Sequence, residues 1–210
     1  MTDEKANSAA KRPRARKRRF YTMSYNLSGR PGFRIADESV LPPYRVRRLP
    51  ASMPPVPFMF DKSDGRMPGD VELADHWWLV SDRAKAVFER MDPEAFVFVR
   101  CDVRVPKGSY HGPDFWICDV TRVLDALDES ASCLHIGVRD DVRYLDHGQK
   151  YYEWILDYKL VFKETAIGHA HIFRMAYKDT TVICDQEFKD ACKSAGLKKI
   201  RFVDASKGEI

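Results

Sequence analysis

Catalytic signatures are what this chain lacks. Its 210 residues contain no glycine-rich dinucleotide fingerprint, no phosphate-binding loop, no GxSxG elbow and no HExxH zinc helix. Gly29-Arg-Pro-Gly32 is too short to cradle a phosphate. No two of the five cysteines are spaced as CxxC, which argues against a zinc knuckle. Their odd number and wide scatter argue against a disulfide framework, so a reducing cytoplasm is the expected compartment. No stretch reaches the ~18 apolar residues of a membrane helix. The basic residues near the start lead into no apolar core of a secretion signal. Proline is absent after Pro113.

What is present fits a globular protein. Hydrophobic residues make up 44% and there are four tryptophans, enough for a chain of this length to bury a substantial core. The formal net charge of +4 is unevenly spread: residues 1–20 carry eight Lys/Arg against two Asp/Glu, leaving 27 basic and 29 acidic residues elsewhere. The basic arm at residues 11–19 could neutralise phosphates in a salt-sensitive way. It has no interleaved aromatics for base stacking, so residues 1–20 are expected to form a disordered, solvated tail. Any nucleic-acid contact would run through that tail, and no membrane partner is expected. Eight prolines between residues 29 and 70 predict an extended wrap with short strands, such as one at residues 44–47, because proline cannot donate to a sheet ladder. Met53, Phe58, Met59 and Phe60 give this wrap apolar groups with which to pack on the main body.

Two strand–cap–helix–strand units stand out. In the first, a Trp-rich strand ends at Ser81, whose hydroxyl can cap the first helical turn. Ala84, Val87, Phe88 and Met91 then recur at i, i+3, i+4 and i+7, one apolar face, and Asp92-Pro93 stops the helix. Beyond it Val97, Val99, Cys101, Val103 and Val105 alternate with Arg100, Asp102 and Arg104, the period of a half-buried strand. Phe96 and Phe98 break the polar side, so the strand's start should be covered on both faces. In the second unit a strand at 181–184 precedes Asp185 as cap. A helix then runs to Ala195 with Phe188, Ala191, Cys192 and Ala195 inward, Gly196 takes the left-handed C-cap position, and a strand follows at 198–203.

Between the units the patterns predict strands at Phe115–Val120 and His135–Val138 and a helical turn or two at 121–127. Residues 151–162 tolerate helix or strand, with helix preferred at 151–157. A hairpin of 170–177 with 181–184 is expected to turn at Lys178-Asp179. The fold expected is α+β: a mixed, mostly antiparallel sheet, a few short helices and a proline-rich N-terminal wrap. Residues 21–210 are read as one domain, with the wrap at 29–70 and the main body at 71–205.

Tests for chemistry come back empty. His169-Ala-His171 would put two imidazoles on one strand face, but no third ligand stands at a diagnostic spacing, and a packed or surface pair is the plainer assignment. Cys101, Cys118 and Cys184 lie in apolar runs with nothing to lower a thiol pKa; Cys184 keeps some interest because it directly precedes a helix. Ser109, His111 and Asp114 share a loop at 108–114 that reads as a turn. No catalytic residue, metal ligand or cofactor is assigned. Of the adjacent His76, Trp77 and Trp78, the two Trp rings should face opposite sides of a strand; the proline-rich wrap is expected to cover both, the alternative being one in the core and the other left for a partner. Arg174, between Phe173 and Met175, suggests an ion pair within the fold. Asp125, Asp128, Glu129, Asp140, Asp141 and Asp146 form the densest acidic region, a solvated face that could also steer a basic partner.

The order of several short runs is more specific than any of them alone. Trp78-Leu-Val-Ser81-Asp-Arg83, Phe88, Met91-Asp-Pro93 and Phe96-Val-Phe-Val99 are followed by Phe115-Trp-Ile-Cys-Asp119 and Leu124-Asp-Ala-Leu-Asp128 with Ser130. His171-Ile-Phe-Arg174, the strand at 181–184 and the segment 196–202 complete the series. Across residues 20–205 this resembles the bacterial immunity-protein family Imm11 (DUF1629), although the Trp-Ile-Cys-Asp run departs from the family's usual Asn near Asp119 and the basic N-terminus is not a family feature. The resemblance implies a non-enzymatic cytoplasmic antitoxin. It would bind a cognate toxin, an effector of a polymorphic or type VI secretion system encoded by the adjacent gene, and block its active site or substrate access. It also makes His76, Trp77, Trp78 and the six acidic residues candidates for the toxin contact.

Overall fold

A computed structural model describes residues 17–26, 28–43, 48–50, 52–143 and 147–208. The strand expected at 44–47, Asp146 and residues 1–16 of the basic tail lie outside the described residues. The described chain runs through β1 (Phe20–Tyr25), β2 (Phe33–Ile35), β3 (Val56–Phe60), β4 (Val71–Ala74), β5 (Trp77–Ser81) and α1 (Asp82–Met91). It continues through β6 (Phe96–Arg104), β7 (Phe115–Val120), β8 (Val123–Leu124), β9 (His135–Val138) and β10 (Lys150–Glu153). The last elements are α2 (Glu164–Ile167), β11 (Ile172–Met175), β12 (Lys178–Asp185), α3 (Gln186–Ser194) and β13 (Ile200–Asp204).

The class is the expected α+β, dominated by strands. These are shared among a six-stranded sheet in the order β2-β3-β6-β7-β5-β4, a five-stranded sheet in the order β13-β1-β12-β11-β8, and a separate β9–β10 hairpin. Both large sheets are mixed and mostly antiparallel, with parallel pairing only between β3 and β6 and between β8 and β11 among the described strands.

α1 and α3 start as their caps dictate. Ser81 Oγ accepts the Ala84 N–H at 3.2 Å, and Asp185 Oδ1 accepts the Phe188 N–H at 2.9 Å. At the far end of α3, Gly196 takes φ +64°, the left-handed conformation a C-cap needs. The apolar faces of α1 and α3 meet: the Phe88 ring lies 5.3 Å from both Phe96 and Phe188. Tyr21, Met23, Ile172, Val182 and Cys184 of the five-stranded sheet and Val80, Cys118 and Val120 of the six-stranded one enter this same cluster. The two sheets are thus joined through a helix pair.

Each sheet has a second apolar face. Val56, Phe58, Trp77, Leu79, Val99, Phe115 and Ile117 pack under Leu41 and Leu49 of the proline-rich segment, which also supplies β2 and β3 to the sheet. Phe20, Phe173, Met175 and Ile183 pack against Tyr152, Tyr158, Leu160 and Phe162. Phe96 is buried on the helix side and Val97 packs on the opposite cluster, so β6 begins covered on both faces as expected.

Three local expectations are corrected. Residues 121–127 form no helix: Val123 and Leu124 pair in parallel with β11, with Arg174 N–H donating to Arg122 O at 2.8 Å and Ala176 N–H to Leu124 O at 3.1 Å. The open edge of β11 offers donors that outweigh the weak helical pattern. Residues 151–157 form no helix either, because Lys150–Glu153 pairs with β9 and buries Tyr152. The β11–β12 turn falls at Ala176-Tyr177, and Lys178 is already in strand.

Candidate functional site

β5 lies between β4 and β7, so its alternate side chains enter different cores. Trp77, 3% exposed, sits with Leu79 under the proline-rich segment, while the half-buried Trp78 packs with Val80 on the helix side. Trp77 Nε1 is buried without a hydrogen-bond acceptor among the described residues. The His76 ring lies 4.8 Å from that of Trp77, with Nδ1 2.5 Å from Asp75 Oδ2. Coverage of both rings by the wrap is therefore corrected: only Trp77 lies under it, and Trp78 keeps some surface at a cavity of about 60 Å³ that it lines with His76, Asp119, Arg174 and Asp179.

Asp119 and Arg174 make the ion pair that Arg174's apolar neighbours suggested. Arg174 Nη2 on β11 donates to Asp119 Oδ1 on β7, and its Nε donates to Val120 O at 2.5 Å. Asp119 Oδ2 accepts the Leu49 N–H at 2.9 Å. One buried carboxylate therefore ties the five-stranded sheet, the six-stranded sheet and the proline-rich segment together. Burial pushes the Asp119 carboxyl up, and Arg174 opposes that shift.

A second polar network borders a cleft of about 450 Å³ lined by Met91, Asp92, Glu94, Arg122, His169 and His171 among others. Asp92 Oδ2 accepts the His171 N–H at 2.9 Å and pairs with Arg122. His171 Nδ1 lies 2.8 Å from Asp185 Oδ2, which also receives Arg18 Nη2 at 2.8 Å. Arg18 further donates to Gly168 O at 2.7 Å and Ala170 O at 2.8 Å, while Arg19 pairs with Asp204 at 2.8 Å. These two cations of the basic arm are thus held by the body. The two histidines do not share a strand, because β11 begins only at Ile172. No group of three His, Cys, Asp or Glu side chains suited to a metal ion occurs among the described residues.

The acidic candidates are mostly engaged. Asp128 accepts from Ser130 Oγ at 2.7 Å and from Ala131 N–H at 3.3 Å, closing its own turn. Glu129 accepts from Tyr152 Oη at 2.6 Å and from Lys150, and these bonds hold its carboxyl below the usual range. Asp141 is held low in the same way by Arg143. Asp125 and Asp140 are exposed. The arrangement that sequence reasoning missed is the counter-charge on Glu129 and Asp141; no spacing rule brings Lys150 to Glu129.

The cysteines at 101, 118, 184 and 192 are buried, and burial raises all four thiols, Cys192 to about 12. For Cys184 this outweighs its position beside a helix start. In the 108–114 loop Asp114 pairs with Arg100 at 3.1 Å and Tyr110 Oη donates to Pro113 O at 2.9 Å, the contacts of a structured turn. No described helix is long and apolar enough to cross a membrane.

The model of the immunity protein family Imm11 matches residues 5–207, and the chain belongs to that family. The match starts at residue 5, ahead of the basic arm and earlier than the resemblance at 20–205. No curated protein matches the chain.

Proposed function

We propose that this Imm11 protein is an antitoxin that acts in the cytoplasm by occlusion. It binds one cognate toxin, an effector of a type VI or polymorphic secretion system encoded by the neighbouring gene, and covers the toxin's active site or substrate path. The observation that carries this reading is the family match over residues 5–207, since an immunity protein implies a toxin to neutralise. The chemistry of the polar groups supports it. Burial raises the thiols of Cys101, Cys118 and Cys184, and the buried charges Asp119 and Arg174 are engaged with each other. Groups so committed hold the fold and are poorly placed to turn over a substrate.

For the contact surface we favour the acidic region over the tryptophan pair, because the Trp77 ring is core and the His76 side chain is only 8% exposed. Acidic side chains at the rim of an interface raise the rate of encounter with a basic partner and make it salt-dependent. Co-expression with the neighbouring toxin gene should restore growth and yield a complex that survives purification. Absence of protection against that toxin removes the proposal.

A further inference from the structure

Building on the antitoxin reading, we infer that the toxin engages the open edge of the β9–β10 hairpin by adding a strand of its own, rich in basic residues, to β9. The hairpin has a strand on one side of β9 only. Arg139 N–H donates to Gln149 O at 3.0 Å and Arg139 O accepts from Gly148 N–H at 2.7 Å. By the alternation of an antiparallel ladder, Gly137 and His135 also aim their backbone groups at β10. Ile136 and Val138 therefore direct theirs outward, where no described strand pairs with them.

An outward row of N–H and C=O groups is a template for another strand unless something blocks it. His135-Ile-Gly-Val138 contains no proline and no lysine. Its outward-edge residues are apolar and open, Ile136 at 40% and Val138 at 62% exposure. Five of the seven exposed large apolar side chains among the described residues, Ile136, Val138, Val142, Ile155 and Leu156, fall within residues 136–156. Exposed apolar side chains are thus concentrated in the segment that carries this edge. The hairpin is also anchored. Tyr152 is buried, its N–H donates to Tyr177 O at 2.9 Å, and its hydroxyl donates to Glu129 at 2.6 Å. The edge is presented by a fixed element, which lowers the ordering cost of binding.

Charge decides the occupant. Residues 125–157 hold eight acidic and three basic side chains, a local net of −5. Pairing β9 with the same strand of a second copy would bring two such regions together, and like charges in contact are costly. A strand carrying Lys or Arg beside apolar residues that cover Ile136 and Val138 meets both features at once.

The test uses the full chain and the catalytically inactivated toxin domain from the neighbouring gene. Val138→Pro removes an outward N–H that the β9–β10 ladder does not use, so the hairpin tolerates it. Ile136→Lys with Val138→Lys keeps every backbone group, removes the apolar surface and repels a basic strand. We expect both variants to keep the wild-type circular dichroism and to lose toxin affinity by about ten-fold or more. In the wild-type complex, hydrogen exchange should show new protection at the Ile136 and Val138 amides. Full affinity in both variants, with those amides unprotected, would overturn the edge assignment and leave the antitoxin reading standing. A wild-type protein that neither binds this toxin nor protects against it defeats both. Concentration-dependent dimers of the wild type that vanish in Val138→Pro would assign the edge to a second copy instead.

Discussion

Replacing Asp119 by alanine probes how the two sheets are joined. The carboxylate is 3% exposed, and its partner Arg174 is 7% exposed. Removing one member of a buried ion pair strands the other charge in a poorly solvated site, a loss of about 3–5 kcal/mol. The Leu49 N–H, which donates to Asp119 at 2.9 Å, loses its acceptor as well. If that donor stays dry the added cost is about 1–3 kcal/mol. Set against a total stability of about 5–15 kcal/mol for an ordinary domain, the single substitution consumes a large share of it. Urea unfolding followed by tryptophan fluorescence should show a lower midpoint at an unchanged slope. The double variant Asp119→Leu with Arg174→Met removes both charges, and with them the cost of having desolvated them. It should recover the cost of the stranded charge and keep only that of the unpaired Leu49 N–H, about 1–3 kcal/mol below the wild type. A single variant within about 1 kcal/mol of the wild type would refute the reasoning, as would a double variant no more stable than the single.

Three further outcomes are expected. Ser81→Ala removes the cap of α1 and also the donor to Asp70 Oδ1 at 2.6 Å; thermal melting should register a loss of about 1–2 kcal/mol. At mildly alkaline pH a thiol reagent should label exposed Cys133 quickly, and Cys101, Cys118, Cys184 and Cys192 only as the protein unfolds; equal rates for all five would contradict their burial. The Glu129 carboxyl is lowered from its ordinary value of 4.5 by Lys150 first and Tyr152 second. A lowered carboxyl contributes stability that is complete above the ordinary value and is lost as pH falls through the folded one. Melting temperature should therefore drop below about pH 4.5, and Glu129→Gln should flatten that drop. Asp119, raised by burial, works in the opposite sense and does not add to the acid loss.

Local chemistry made much of this fold legible. Ser81 and Asp185 announced helices because a hydroxyl or carboxylate before an apolar i, i+3, i+4 series has one economical use, and each accepts the N–H three residues on. Phe88 and Phe188 were placed inward by the same periodicity, although nothing in either helix alone says that their rings meet. The errors fell where an edge, and not the segment itself, chose the structure. Residues 121–127 carry enough apolar periodicity for a helical turn, but β11 had unpaired backbone groups beside them. Lys150–Glu153 became a strand because β9 lay alongside. Non-local pairing overrides weak local preference, most of all in short segments.

The candidate site was legible in a different proportion. A charge between Phe173 and Met175 had to be neutralised, so an ion pair followed from burial alone; its partner lies 55 positions away and no spacing could supply it. The histidines at 169 and 171 presupposed a strand, yet the turn before Ile172 hands His171 to Asp185 and Asp92. Counting acidic residues located a negative region but not Lys150 and Arg143, which already occupy Glu129 and Asp141. The open side of β9 was the least accessible feature. Alternation identifies a strand from its own side chains, whereas an edge is defined by the neighbour it lacks, and that follows only from the completed topology. An edge without proline or lysine leaves no mark on the residues that form it. That is why the ordered series of short runs led to the family while no single motif marked a surface.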